Sequence, residues 1–303
     1  MITVNKITSI DVEASSYCNA RCPECIRNFR GWNILKYSEL HLDLDKFKYI
    51  INKLPNLQHI NFCGNYGDPM MHPNMDDFVN EKYHNIISTN GSIGKLDTFV
   101  KLAKKNVTII FGIDGLKDTN HIYRQDVKWD NLIARAKTFI GAGGKAVWQY
   151  ILFKHNMNQL EQARELSKQL GFFEFVIKED GRNSGPILDN TGKQIGYLEP
   201  HNREIKKDFN IDFELSLLEN PVKLNTEYSN YKIDCETKRR GWIYINVLGE
   251  IRPCCYFGAY DLDKHKPQGK TLQKQLDNYA YIENSWNTKH CFEKCAMECG
   301  HRS

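Results

Sequence analysis

Three thiols stand within eight residues near the start of the chain, in Cys18-Asn19-Ala20-Arg21-Cys22-Pro23-Glu24-Cys25, with gaps of three and then two residues. Two-residue gaps occur in zinc knuckles and in redox dithiols, whereas a third thiol at the wider gap is less common in either. Three thiolates from one short loop can hold three irons of a [4Fe-4S] cube and leave the fourth iron open to another ligand. A zinc loop is the alternative that the same thiols admit. A second group, Cys235, Cys254, Cys255, Cys291, Cys295 and Cys299, gathers toward the other end. Cys63 lies apart from both in an apolar run and reads as a buried strand thiol.

The elements around the first loop decide whether its thiols meet a substrate. Residues 7–14 alternate apolar and polar, which predicts a strand ending just before Cys18. Loops at the carboxyl ends of barrel strands converge on the barrel mouth, where active sites form. A helix is predicted over 42–54, stopped by Pro55, then a strand over 59–63 and the turn Gly64-Asn65-Tyr66-Gly67-Asp68-Pro69. Strand 85–88 runs into Thr89-Asn90-Gly91; helix 95–105, strand 107–113 ending in Asp114-Gly115, and helix 129–141 follow. Strand 146–153 is nearly all apolar, as expected of a strand covered on both faces, with Gln149 the polar exception aimed into the barrel. Helix 159–170 and strand 172–177 complete the series, followed directly by Lys178. Six strands alternating with helices through right-handed crossovers predict an α/β fold, a partial (β/α)6 barrel over residues 1–183.

Residues 184–232 are rich in Asn, Gly, Pro and charge; they read as a linker crossing the barrel mouth, with a helix around 199–208. Residues 233–303 read as a small C-terminal domain. Its β-hairpin has one strand over 242–247, a turn at Leu248-Gly249-Glu250 and a return through 251–255.

The Cys18, Cys22, Cys25 spacing is the signature of the radical SAM superfamily, and the chain resembles that family. The resemblance implies that the open iron is chelated by S-adenosylmethionine (AdoMet), which an electron from the cluster cleaves to methionine and a 5′-deoxyadenosyl radical. Tyr66-Gly67-Asp68-Pro69 stands where the family has Gly-Gly-Glu-Pro, so Tyr66, Gly67 and Asp68 are implied to hold the methionine ammonium, with Asp one methylene shorter than Glu. Thr89-Asn90-Gly91 resembles a nucleoside-contacting element and makes Ser88 and Asn90 candidates for the ribose hydroxyls, although Asn90-Gly91 makes a tight turn in any case. Gln149 is placed near the cofactor. Gly112-Ile113-Asp114-Gly115 departs from the usual Ser-Ile-Asp-Gly, and Asn120-His121-Ile122-Tyr123-Arg124 resembles a loop whose His121, Tyr123 and Arg124 line the substrate cavity or brace the next helix.

Cys235, Gly249 and Cys254, with thirteen and four residues between them, follow the pattern that opens the auxiliary-cluster domains called SPASM and twitch. The full SPASM set needs a seventh thiol that this segment lacks, so the resemblance is to twitch. It implies one further [4Fe-4S] cluster held by Cys235, Cys254 and two of Cys291, Cys295 and Cys299, with Cys255 pointing away. A zinc site with four cysteine ligands remains the alternative.

At 303 residues with 41% hydrophobic and 26% charged content, the chain is an ordinary globular protein, and its net charge of +4 decides nothing. The near-balanced charge and lack of a basic arm disfavour a nucleic acid partner. No signal peptide is visible and no run approaches the ~18 apolar residues of a membrane span. Ten cysteines without an export signal place the chain in a reducing cytoplasm. The expected function is a radical SAM oxidoreductase that takes a hydrogen from a small polar metabolite or a peptide side chain. The auxiliary cluster would accept the electron or anchor the substrate, and flavodoxin or ferredoxin would be the reductant. Arg124, Lys178 and Asp114, at strand ends, are the candidate general bases. A barrel starting within the first ten residues leaves no room before it for a leader-recognition domain, which points away from a leader-dependent maturase. Two alternatives are a leader-independent peptide maturase or crosslinking enzyme, and a non-catalytic metal-binding scaffold.

Overall fold

The computed structural model describes residues 2–23, 25, 27, 39–180, 185–189, 191–201, 231–255, 271–278, 280, 295 and 300–302. Their strands are β1 (Ser9–Val12), β2 (His59–Phe62), β3 (His84–Thr89), β4 (Val107–Gly112), β5 (Lys145–Leu152), β6 (Glu174–Glu179), β7 (Pro186–Leu188), β8 (Gln194–Tyr197), β9 (Tyr231–Ile233), β10 (Trp242–Ile245), β11 (Ile251–Arg252) and β12 (Gly300–Arg302). A mostly parallel sheet takes eight of them in the order β11-β10-β1-β2-β3-β4-β5-β6. This is the expected α/β architecture, with the antiparallel hairpin at one end. The chain forms two compact units whose boundary falls within β2.

One unit comprises Met1–Val12, Asp43–Ile60 and Asp208–Ser303. Here the C-terminal hairpin is part of the main sheet: β10 pairs in parallel with β1, Ser9 opposite Trp242 and Val12 opposite Ile245, and β11 pairs antiparallel with β10. Gly241 makes the join possible. Its φ is +63°, and a Cβ there would lie 2.0 Å from the Lys6 carbonyl oxygen. The Gly241 carbonyl accepts the Thr8 N–H at 2.9 Å. Helix α1 (Leu44–Ile51) is N-capped by Asp43, whose carboxylate accepts the Lys46 N–H at 2.8 Å. β9 and β12 pair antiparallel.

The other unit comprises Glu13–Leu42 and Asn61–Lys207. β3, β4, β5 and β6 run parallel, with Ser88 opposite Ile110, Gly112 opposite Gln149, and Ile151 opposite Lys178. Between β3 and β4 lies α3 (Leu96–Ala103), preceded by the short α2 (Met75–Phe78); α4 (Asn120–Tyr123) and α5 (Trp129–Gly141) follow β4, and α6 (Leu160–Gln169) follows β5. One sheet face is sealed by helices. Phe111 of β4 packs between Phe99 of α3 and Phe139 of α5, all fully buried, each contributing about 1.5–3 kcal/mol of burial before conformational entropy is counted. The opposite face is only half covered: Ser88, Thr108, Ile110, Gln149 and Ile151 are partly exposed. β5 therefore departs from the expectation of cover on both faces, since Trp148, Tyr150 and Leu152 are buried but Gln149 and Ile151 are not.

Within the expected linker, β7 and β8 form an antiparallel hairpin. Asp189 accepts the N–H groups of Thr191 and Lys193, and Gly192 takes φ +83°. The helix expected around 199–208 lies outside the described residues.

Candidate active site around the cysteine loop

The site grows from the carboxyl ends of consecutive strands. After β1, whose residues alternate polar and apolar, the chain enters Glu13, a carboxylate only 1% exposed. Its Oε1 accepts hydrogen bonds from the Cys63 thiol at 3.2 Å and the backbone N–H groups of Asn65 and Tyr66 at 3.0 and 3.3 Å. Glu13 thus ties down the turn after β2. Gly67 closes the approach from the other side: a Cβ there would fall 1.9 Å from the Ser15 carbonyl oxygen. The Asp68 N–H donates to the Tyr17 carbonyl at 2.7 Å, one residue before Cys18. Glycine at 67 is what lets the turn lie directly on the backbone that carries the first thiol.

Asp68, 3% exposed, is enclosed by donors. The Thr89 hydroxyl lies 2.8 and 2.9 Å from its two oxygens, and the Met70 and Asn90 N–H groups donate at 2.9 and 2.8 Å. Burial pushes this carboxyl above the usual range while those hydrogen bonds pull it back. Asn90 is equally committed. Its side-chain N–H donates to Asn19 Oδ1 at 2.9 Å and points at Cys18 Sγ at 3.8 Å, and its Oδ1 accepts from the Ser92 N–H and hydroxyl at 2.9 and 2.8 Å. Asp68 and Asn90 therefore brace the cysteine loop, a role the sequence reading did not assign to them.

At the end of β4, Asp114 is fully buried and receives Arg124 Nε on Oδ2 and the Ile151 N–H on Oδ1, each at 2.5 Å. Arg124 Nη1 reaches 3.9 Å from Cys22 Sγ, and its guanidinium lies over the Tyr123 ring, 5.2 Å from the centroid. Burial alone would lower the arginine's pKa, but Asp114 and Cys22 hold it raised. Gly112 makes room: a Cβ there would sit 2.5 Å from Arg124 Nη2.

No family model matches the chain, and no curated protein matches it by sequence. Solved structures do match. SuiB of Streptococcus suis bound to AdoMet superposes with a TM-score of 0.57 at 16% identity, over 93% of this chain and 67% of that one. With its precursor peptide SuiA bound, SuiB gives 0.55 at 15%, over 88% and 62%. anSMEcpe with bound AdoMet gives 0.57 at 15%, over 91% and 83%. These neighbours are radical SAM enzymes. The fold is that of the radical SAM enzymes. The chain spans about two thirds of the length of SuiB, between 62% and 67% in these superpositions.

The loop suits the cube that such a fold carries. Cys18, Cys22 and Cys25 share one loop and none is in a disulfide. Burial pushes the Cys18 thiol well up, with Asp68, Cys22 and Cys25 adding to the effect, and the Ala20 N–H, 3.4 Å from its sulfur, opposes it. Burial raises Cys22 to about 11 against the pull of Arg124. The thiols thus feel one another and are met by N–H donors at two of their sulfurs. A cube bonds each thiolate to a different iron, so its ligands share a loop without converging on one point. Among the described residues, no three His, Cys, Asp or Glu side chains are grouped to hold a metal ion.

The remaining candidates separate. Ser88 and Gln149 lie half-buried on the open face of the sheet, and Lys178 is exposed on that same face of β6, opposite Ile151. Tyr66 is 5% exposed and contributes its backbone N–H to Glu13. Tyr123 packs on Phe153 with centroids 4.7 Å apart, so it braces the Arg124 loop, whereas His121 is exposed beside Lys117 and Trp129 in a shallow surface pocket. Of the second thiol group, Cys235, Cys254 and Cys255 are partly exposed and Cys295 is buried; Cys291 and Cys299 lie outside the described residues. Among the described residues no helix is long and apolar enough to cross a membrane.

Proposed function

We propose that this chain is a radical SAM enzyme in which Cys18, Cys22 and Cys25 hold a [4Fe-4S] cube and the open face of β3 to β6 receives AdoMet and substrate. The observation that carries the reading is the clamping of the cysteine loop: Gly67 and Asp68 press on it from one strand end and Asn90 holds it from the next. Held by Cys18, Cys22 and Cys25, the cube with AdoMet would supply one-electron chemistry for removing a hydrogen atom from substrate. The protein's own residues orient and enclose. Glu13 is engaged with the turn after β2, the Asp68 carboxylate with Thr89, Met70 and Asn90, and the Asn90 amide with Asn19 and Ser92, which leaves Ser88 and Gln149 as side chains available to a nucleoside. Asp114 and Arg124 engage each other, so of the residues suggested as bases Lys178 is the one with a side chain free to move a proton.

The substrate we assign is a peptide side chain. In support, SuiB is solved with its precursor peptide and anSMEcpe with a bound peptide, on this same fold. Cys235, Cys254 and two of Cys291, Cys295 and Cys299 would hold a second cluster, which would supply an electron acceptor for a net oxidation. Flavodoxin or ferredoxin in the cytoplasm would supply the first electron.

Anaerobic reconstitution tests this. About eight irons and eight sulfides per chain are expected if both groups hold cubes, and about four if the second is empty or binds zinc. With dithionite and AdoMet the protein should release 5′-deoxyadenosine, and Cys22→Ser should release none. A wild-type protein that binds iron at the first loop yet yields no 5′-deoxyadenosine overturns the reading.

A further inference from the structure

Arg124 is more elaborately held than an ion pair requires. Asp114 fixes its Nε at 2.5 Å and is itself fixed by the Ile151 N–H. The Asp114 backbone is locked too: its N–H donates to Asn120 Oδ1 and its carbonyl accepts from Asn156 Nδ2, both at 2.9 Å. The Tyr123 ring lies beneath the guanidinium and Gly112 leaves the space that it fills. Such a frame gives the guanidinium a single position, and in it Nη1 is aimed at Cys22 Sγ, 3.9 Å away. A second sulfur, Cys18, is approached by the Ala20 N–H and the Asn90 amide but by no cation among these contacts. The charge is therefore directed at one thiolate.

We infer that Arg124 and Asp114 form a fixed charge pair, positive end toward Cys22, that sets the reduction potential of the cube at the cysteine loop. The inference rests on the proposed function. Its physical basis is that cluster potentials follow the local charge and the hydrogen bonds made to the sulfurs. Reduction adds one electron to a buried, already anionic group, so a cation beside a ligating sulfur stabilises the reduced state and an anion destabilises it. Arg124 raises the potential, and Asp114, farther from the sulfur, lowers it by less. Arg124 is a tuning and positioning residue here, since it acts through Cys22.

The test is an EPR-monitored redox titration of the reconstituted protein, following the cluster signal that AdoMet perturbs, with iron and sulfide counted for each variant. Arg124→Gln should shift the midpoint to more negative potential, and Arg124→Lys should recover part of the shift. Asp114→Asn keeps one of the two acceptor oxygens, which now receive Arg124 and Ile151 separately, and removes the anion; it should shift the midpoint the opposite way. Gly112→Ala, which pushes the guanidinium aside without changing any charge, should follow Arg124→Gln in sign. Should Arg124→Gln lose its cluster, Asp114→Asn and Gly112→Ala still decide by their opposite signs. Unchanged midpoints at full iron content, or Asp114→Asn and Gly112→Ala moving together, overturn the inference while leaving the proposed function standing. A wild-type protein with no AdoMet-sensitive signal overturns both.

Discussion

The carbonyl oxygen of Ser15 occupies the space where a side chain on Gly67 would begin, 1.9 Å from the position of a Cβ. Neither partner is the tip of a flexible side chain, so the conflict cannot be relieved by a rotamer change. Gly67→Ala is expected to cost about 3 kcal/mol, the upper end of what overpacking costs, because two backbone segments must separate. The cysteine loop should move with them. A urea-unfolding midpoint lower than that of the wild type, together with loss of iron from the first loop on reconstitution, checks it. A wild-type midpoint with full iron would show that the turn does not bear on the loop.

Asp68 offers a cleaner separation of bracing from ligand contact. Its carboxylate is surrounded by the Thr89 hydroxyl and the N–H groups of Met70 and Asn90. Asp68→Ala strands these buried donors and is expected to destabilise the iron-free protein by about 3 kcal/mol, while Asp68→Asn, which keeps one acceptor oxygen, should cost about half as much. Because the measurement needs neither cluster nor AdoMet, a residue that only contacted ligand would leave the iron-free stability unchanged.

Legibility in the sequence followed contact range. β3, β4 and β5 and the helices between them announce themselves, because apolar runs of the right length and the stops at Gly and Pro are local signals. The Cys18 to Cys25 loop and the Gly64 to Pro69 turn were equally plain. Glu13 was not: its partners Asn65 and Tyr66 lie 52 and 53 residues away, and in the alternating run of residues 7–14 it reads as one more polar position. The parallel pairing of β1 with β10 is longer in range still, so the C-terminal hairpin looked like an independent appendage. Asp114 and Arg124, ten residues apart, were both visible and read as separate candidate bases; only the closure of the short α4 turn brings them together. The β7–β8 hairpin was legible in principle, since Asp189 and Gly192 are strong turn residues between two short apolar runs, but the polar composition around them masked it.

His155 predicts a pH dependence of the fold that is independent of any cluster. Its ring stacks on Phe153 with centroids 5.5 Å apart, and its Nε2 is buried without a partner. Burial, helped by the nearby His121, lowers its pKa from 6.5 to about 4. Between those values the unfolded chain binds a proton that the folded protein refuses, so stability rises with pH. The contribution is fully present above 6.5 and is lost as pH falls toward about 4. The urea midpoint of the wild type should drop more between about pH 7 and about pH 5 than that of His155→Gln. Equal drops would mean that His155 is not the group responsible.

Asn90 joins the end of β3 to the cysteine loop through a single amide, and its two ends carry separable roles. The Nδ2 side holds Asn19 and points at the Cys18 sulfur; the Oδ1 side holds Ser92. Asn90→Ala removes both and is expected to cost about 1–3 kcal/mol through the buried partners it leaves unmet. Asn90→Asp keeps the acceptor for Ser92 but replaces the donor with an anion facing Asn19 Oδ1 and the Cys18 sulfur, where like charge and a lost N–H act together against an anionic cluster. The aspartate variant should therefore fold better than the alanine variant, yet release iron faster to a chelator. Measured side by side, unfolding midpoints and chelator-driven iron loss should rank the two variants in opposite orders. The same order in both would mean that Asn90 serves the fold alone.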